Sequence, residues 1–108
     1  MRILWIAGIS IALLLAGAAL RAADAAKGKE LFMSKCAQCH DKTGGGKEAI
    51  AKMFKVQMKP LGSAEAQSKK DDEIKGVILK GAGKMRAVQV SDPEAADLIA
   101  FLRTLGKK

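Results

Sequence analysis

Tyrosine is absent from this 108-residue chain, histidine and tryptophan occur once each, and cysteine and proline twice each. Each scarcity removes a class of function. Both cysteines and the histidine lie within Cys36–His40, with no second pair to complete the four-ligand tetrahedron of structural zinc. Beyond residue 21 the only aromatics are Phe32, Phe54 and Phe101, all on apolar helical faces, so a stacking platform for nucleic acid is lacking despite a formal charge of +8. The glycine run Gly44–Gly46 is followed by Lys47 and Glu48, without the Ser or Thr that ends a phosphate-binding loop and without a preceding strand. No convincing strand, internal repeat or low-complexity tract is found. The fold class is all-α and the size is that of one domain.

The charge is unevenly placed. Ile3 to Leu20 contains no charged residue, while the lysines are concentrated after Arg21. Arg2 forms a positive n-region, Ile3 to Leu15 an apolar h-region, and Ala23-Asp24-Ala25 fits an A-x-A cleavage signal, so residues 1–25 read as a secretory signal peptide. The competing reading is a retained membrane anchor, because Ile3 to Leu20 at about 1.5 Å per residue could just cross a hydrocarbon core of roughly 30 Å. Either way the remainder, Ala26 to Lys108, is a small basic domain expected in the periplasm. Domains this small often need help from a disulfide, a metal or a cofactor.

Cys36-Ala37-Gln38-Cys39-His40 is the place to look for that help. C-x-x-C-H is the attachment sequence for c-type haem. Thiols about one helical turn apart can each add to one of the two vinyl groups of the macrocycle, and the adjacent imidazole then lies under the iron as the proximal ligand. A thioredoxin-like pair would need βαβ patterning, which is absent, and a simple structural disulfide leaves the histidine unexplained. Cys36 and Cys39 are therefore expected to carry one covalent haem c, and His40 to ligate its iron.

Around this motif, Ala26 to about Lys35 reads as a helix with Leu31 and Phe32 on neighbouring faces, and Asp41 to Lys47 as a glycine-rich loop. Gly28 lowers helix propensity by about 1 kcal/mol, tolerable if another helix must approach closely. In Glu48 to Lys55, Ile50, Met53 and Phe54 make a small apolar face for the core or a haem edge, with Met53 read as core. Gln57 to Ser63 is a loop. Asp71, Asp72 and Glu73 open a helix carrying Ile74, Val77 and Ile78, ended by Gly81. Ser91 and Glu94 have capping-box spacing at the start of the last helix, whose apolar face is Ala95, Leu98, Ile99, Leu102 and Leu105, with Phe101 at its edge.

With His40 the only histidine, a second axial donor from this chain falls to methionine. Met33 is tethered to the proximal side. Met85, in the glycine-loosened stretch Gly81-Ala82-Gly83-Lys84-Met85, can fold across the far face, with Met58 near Pro60 as the reserve.

These elements together resemble the class I cytochromes c, in particular small bacterial and c6-like electron carriers. The likeness rests on Gly28 and Phe32, Cys36-x-x-Cys39-His40, Pro60-Leu61-Gly62, Gly81 to Met85, and Leu98 to Leu102, and spans nearly all of residues 26–108. It implies a cytochrome c fold in which the first and last helices cross near Gly28 and Phe32, thioethers on Cys36 and Cys39, and His40 and Met85 as iron ligands. Where the family often has proline after the methionine, this chain has Arg86. The expected function is one-electron transfer rather than enzymatic catalysis, by a monomer docking with acidic redox partners and touching a membrane only if the first segment is retained. A haem peroxidase or gas sensor with a labile sixth ligand, or a basic ligand-binding module, are the alternatives.

Overall fold

The computed structural model describes residues 22–107. These form six helices: α1 (Ala25–Lys35), α2 (Ala37–His40), α3 (Glu48–Phe54), α4 (Ala64–Gln67), α5 (Asp71–Lys80) and α6 (Asp92–Leu105). The one β-type pairing among the described residues is an isolated bridge between Ala82 and Met85. No helix among them is long and apolar enough to cross a membrane.

Local chemistry explains where the two long elements begin. The Asp24 carboxylate accepts from the backbone N–H groups of Ala26 and Lys27, at 2.9 and 3.2 Å, and so caps α1. At α6 the reciprocal box forms as expected: Glu94 N–H donates to Ser91 Oγ at 3.2 Å, and Ser91 N–H donates to Glu94 Oε1 at 2.9 Å. Pro93 occupies the first turn, where it sacrifices no intrahelical bond.

The two helices then cross at a point set by a missing side chain. Gly28 is buried in α1, and a methyl group built on it would lie 1.9 Å from the carbonyl oxygen of Asp97 and 3.0 Å from Phe101 Cβ. One turn further along, the rings of Phe32 and Phe101 meet with centroids 5.2 Å apart at 52°. Phe101 is thus central to the packing rather than at the edge of the apolar face. Phe32, Ala95, Leu98, Ile99 and Phe101 make the core with Ala37 and Ile78, the latter contributed by α5.

The chain between α3 and α5 is held by long-range polar contacts. Ser63 Oγ accepts from Ala66 N–H to start the short helix α4. Gln67 Nε2 then donates to the carbonyls of Leu61 and Leu102, at 2.9 and 3.0 Å. Arg103 reaches back from α6 to donate to the Gln67 and Lys69 carbonyls, at 2.8 and 2.7 Å, and to Asp71 Oδ1 at 2.6 Å.

The α6 cap makes stability depend on acid. Hydrogen bonding from the Ser91 backbone holds the Glu94 carboxyl below the ordinary glutamate range. A depressed folded pKa adds stability above the unfolded value of about 4.3, and that increment fades as the pH falls through the folded value. Urea midpoints measured between pH 6 and 3 are therefore expected to fall less steeply for Glu94→Gln than for the wild type.

Candidate functional site

Cys36 ends α1 and starts α2. Its φ and ψ of −120° and −33° break the first helix, while its N–H still donates to Phe32 O at 2.8 Å. Its own carbonyl accepts from Cys39 N–H at 3.2 Å and from His40 N–H at 3.0 Å. One turn of chain therefore gathers both thiols and the imidazole. Ala37, between them and the core, is buried and anchors that turn.

Burial dominates the electrostatics of the motif. Both cysteines are free thiols, partly buried. Burial pushes the Cys36 thiol up, opposed by the charge of Lys35. Burial also lowers the His40 pKa, favouring a neutral imidazole with a lone pair to offer.

The glycine-rich segment after His40 folds back over the motif. Asp41 takes a positive φ of 67° and accepts at Oδ2 from Thr43 Oγ1 at 2.9 Å, a bond that lowers its pKa. Gly46 N–H then donates to His40 O at 2.8 Å and Lys47 N–H to Cys39 O at 3.0 Å. Gly46 has a φ of 87°, and a methyl group there would meet Met58 Cβ at 2.9 Å, with the Met58 sulfur at 3.8 Å. Leu61 N–H donates to Gly44 O at 2.9 Å, joining the Pro60–Gly62 turn to this loop. Gly62 in turn lies so close to α6 that a side chain would meet the Leu105 carbonyl at 2.4 Å.

Met85 is on a separate loop, between α5 and α6. Its N–H donates to Ala82 O at 2.8 Å and its carbonyl accepts from Ala82 N–H at 3.0 Å, a tight turn that needs the positive φ of 56° at Gly83. Val88 N–H donates to Ile78 O at 2.7 Å and fastens the exit of the loop to α5. This loop is therefore hydrogen-bonded at both ends, with Arg86 directly after Met85.

In the helix that follows the glycine-rich loop, apolar side chains are left exposed. No residue of α3 is buried, and Met53, Phe54 and Val56 are 64%, 38% and 39% exposed. Met53 is thus not a core residue, because no other element closes over its face of the short helix. Two unbridged thiols a turn apart, a neutral imidazole and an unburied apolar helix are what a large, flat, covalently bound apolar group requires, so the donor set fits haem c.

The family model for cytochrome c matches residues 25–106. The chain belongs to the cytochrome c family. Among solved structures, the KustC0563 c-type cytochrome superposes with a TM-score of 0.63 at 21% identity, covering 74% of this chain and 98% of that one. That likeness concerns the fold of this cytochrome. Membership of the family implies covalently bound haem c and haem-based electron transfer, the usual role of its members.

Two polar features escaped the sequence analysis. Asp97 is 1% exposed and accepts from Asp24 N–H at 2.7 Å. Its place four residues before Phe101, on the stripe facing α1, was the available signal. The Gln67–Arg103 network had no such signal, because both residues are of types found ordinarily on solvated faces.

Proposed function

We propose that this cytochrome is an exported one-electron carrier, with a single haem c held by thioethers to Cys36 and Cys39 and its iron ligated by His40 and Met85. The observation that carries the reading is the gathering of two free thiols and a partly buried imidazole on one helical turn. When bound, haem supplies the one-electron couple. Cys36 and Cys39 keep it attached without relying on affinity. His40, hydrogen-bonded through its carbonyl to Gly46, is oriented by the loop that follows it.

For the second ligand, Met58 lies against Gly46 of the loop that follows His40. This favours Met85, whose turn is fixed independently of the Cys-His segment. Thioether ligation and the apolar side chains Phe54 and Val56 favour the less charged, ferrous state and so a relatively positive potential. The exposed lysines Lys42, Lys47, Lys52, Lys55 and Lys59 flank these segments and would steer an acidic redox partner, with docking weakened by salt.

The test is attachment and redox stoichiometry in protein co-expressed with haem-maturation machinery. The expected product retains one haem through denaturation and titrates with one electron. Cys36→Ser and Cys39→Ser should each leave one thioether, and the double variant should lose haem on denaturation. Wild-type protein that sheds its colour under denaturing conditions would refute the covalent site.

A further inference from the structure

The A-x-A spacing places a leader cut after Ala25, and such a cut would remove a residue that the fold uses three times. Asp24 caps α1 through Ala26 and Lys27 N–H, and its carbonyl accepts from Gly28 N–H at 3.0 Å. Its own backbone nitrogen donates to Asp97 Oδ1 at 2.7 Å. Asp97 is 1% exposed, and a carboxylate withdrawn from water requires donors aimed at its oxygens. Residue 24 supplies one of them from across the helix crossing. The Asp97 carbonyl is also the group against which Gly28 is packed, so the Asp24–Asp97 contact extends the closest approach of α1 and α6.

Ala22 and Ala23, unlike Asp24, are exposed and make no capping contact, so they can be cut without touching α1. A chain starting at Ala26 would lose the cap, the Gly28 acceptor and the Asp97 donor together. A chain starting at Asp24 would keep all three and turn the Asp97 donor into an α-ammonium group, strengthening the contact with a carboxylate.

We propose that the finished protein retains Asp24, any leader cut falling on its N-terminal side, and that Asp97 is the buried receptor for the Asp24 backbone nitrogen. The inference builds on the exported carrier read above but is measured separately from it. Haem content reports on the carrier, and the first residue reports on the boundary.

The experiment is intact mass and N-terminal peptide sequencing of the full-length gene product recovered after export and haem loading. The expected first residue is Asp24 or one before it; an uncleaved chain would also retain Asp24 while showing the first segment to be an anchor. A product beginning at Ala25 or Ala26 overturns the proposal. In parallel, haem-loaded protein directed by a foreign leader to begin at Ala26 is compared with one beginning at Ala23. The shorter chain should unfold roughly 5 °C or more lower, and coincident transitions would overturn the receptor role of Asp97.

Discussion

Met85→Ala is expected to abolish the weak far-red band of ferric sulfur-to-iron ligation and to lower the reduction potential on the order of 100 mV, within the roughly 0.8 V that axial ligands span. Met58→Ala should leave the band in place. The contrast follows from where the two thioethers are held. Met58 contacts Gly46, whose N–H is bonded to the His40 carbonyl, whereas Met85 is carried by the Ala82–Met85 turn beyond α5. Losing a thioether donor removes a ligand that favours ferrous iron, so the potential moves down rather than up. Ferric and ferrous spectra with a potentiometric titration of both variants decide the matter. A band surviving in Met85→Ala and lost in Met58→Ala would transfer the ligand role to the other loop.

Gly28→Ala and Gly76→Ala should act in opposite directions although each replaces glycine by alanine inside a helix. Alanine is favoured by about 1 kcal/mol on helix propensity alone. At Gly76 in α5 a new methyl group meets nothing within 4 Å, so that preference is expressed and stability rises by roughly 0.5–1 kcal/mol. At Gly28 the methyl would fall 1.9 Å from a backbone oxygen and 2.5 Å from its carbon, atoms that move only if α6 moves. Forcing the helices apart also loosens the Phe32–Phe101 pair. Overpacking of this kind typically costs 1–3 kcal/mol and occasionally more, and backbone contact places Gly28→Ala at or above about 3 kcal/mol. At about 4–8 °C per kcal/mol for a domain of this size, thermal scans should separate the two variants by well over 10 °C. A Gly28→Ala variant as stable as the wild type would show that the crossing is far more yielding than its geometry implies.

Much of the fold was legible because its signals are local. Ser91 and Glu94 announce the start of α6 from three residues apart, the acidic triplet Asp71–Glu73 opens α5, and Gly81 closes it. The Cys36–His40 turn was legible for a different reason, since its chemistry needs those residue types consecutively. What escaped depends on distant partners. α4 is tied through Gln67 to Leu102, 35 residues away, and nothing in Ala64–Gln67 itself signals that bond. Asp97 looks like an ordinary polar residue until Asp24 is seen opposite it. Phe101 and Met53 were misplaced in opposite senses, one central where an edge was expected and the other exposed where core was expected. In both cases periodicity identified the apolar face but not what would cover it.

The pairing of the first helix with the last also governs when this chain can become a protein. Asp24 and Asp97 are 73 residues apart in sequence, so the core forms only after a loop of that length has closed. Closure entropy grows slowly with length, but it must be met before the contacts that repay it exist, and topologies of this kind nucleate late. A growing chain lacking α6 has no partner for Gly28 and Phe32 and stays open. Until α6 has joined α1, Phe32 and Ala37 lack their core partners, and the Cys36–His40 turn lacks the packing that anchors it.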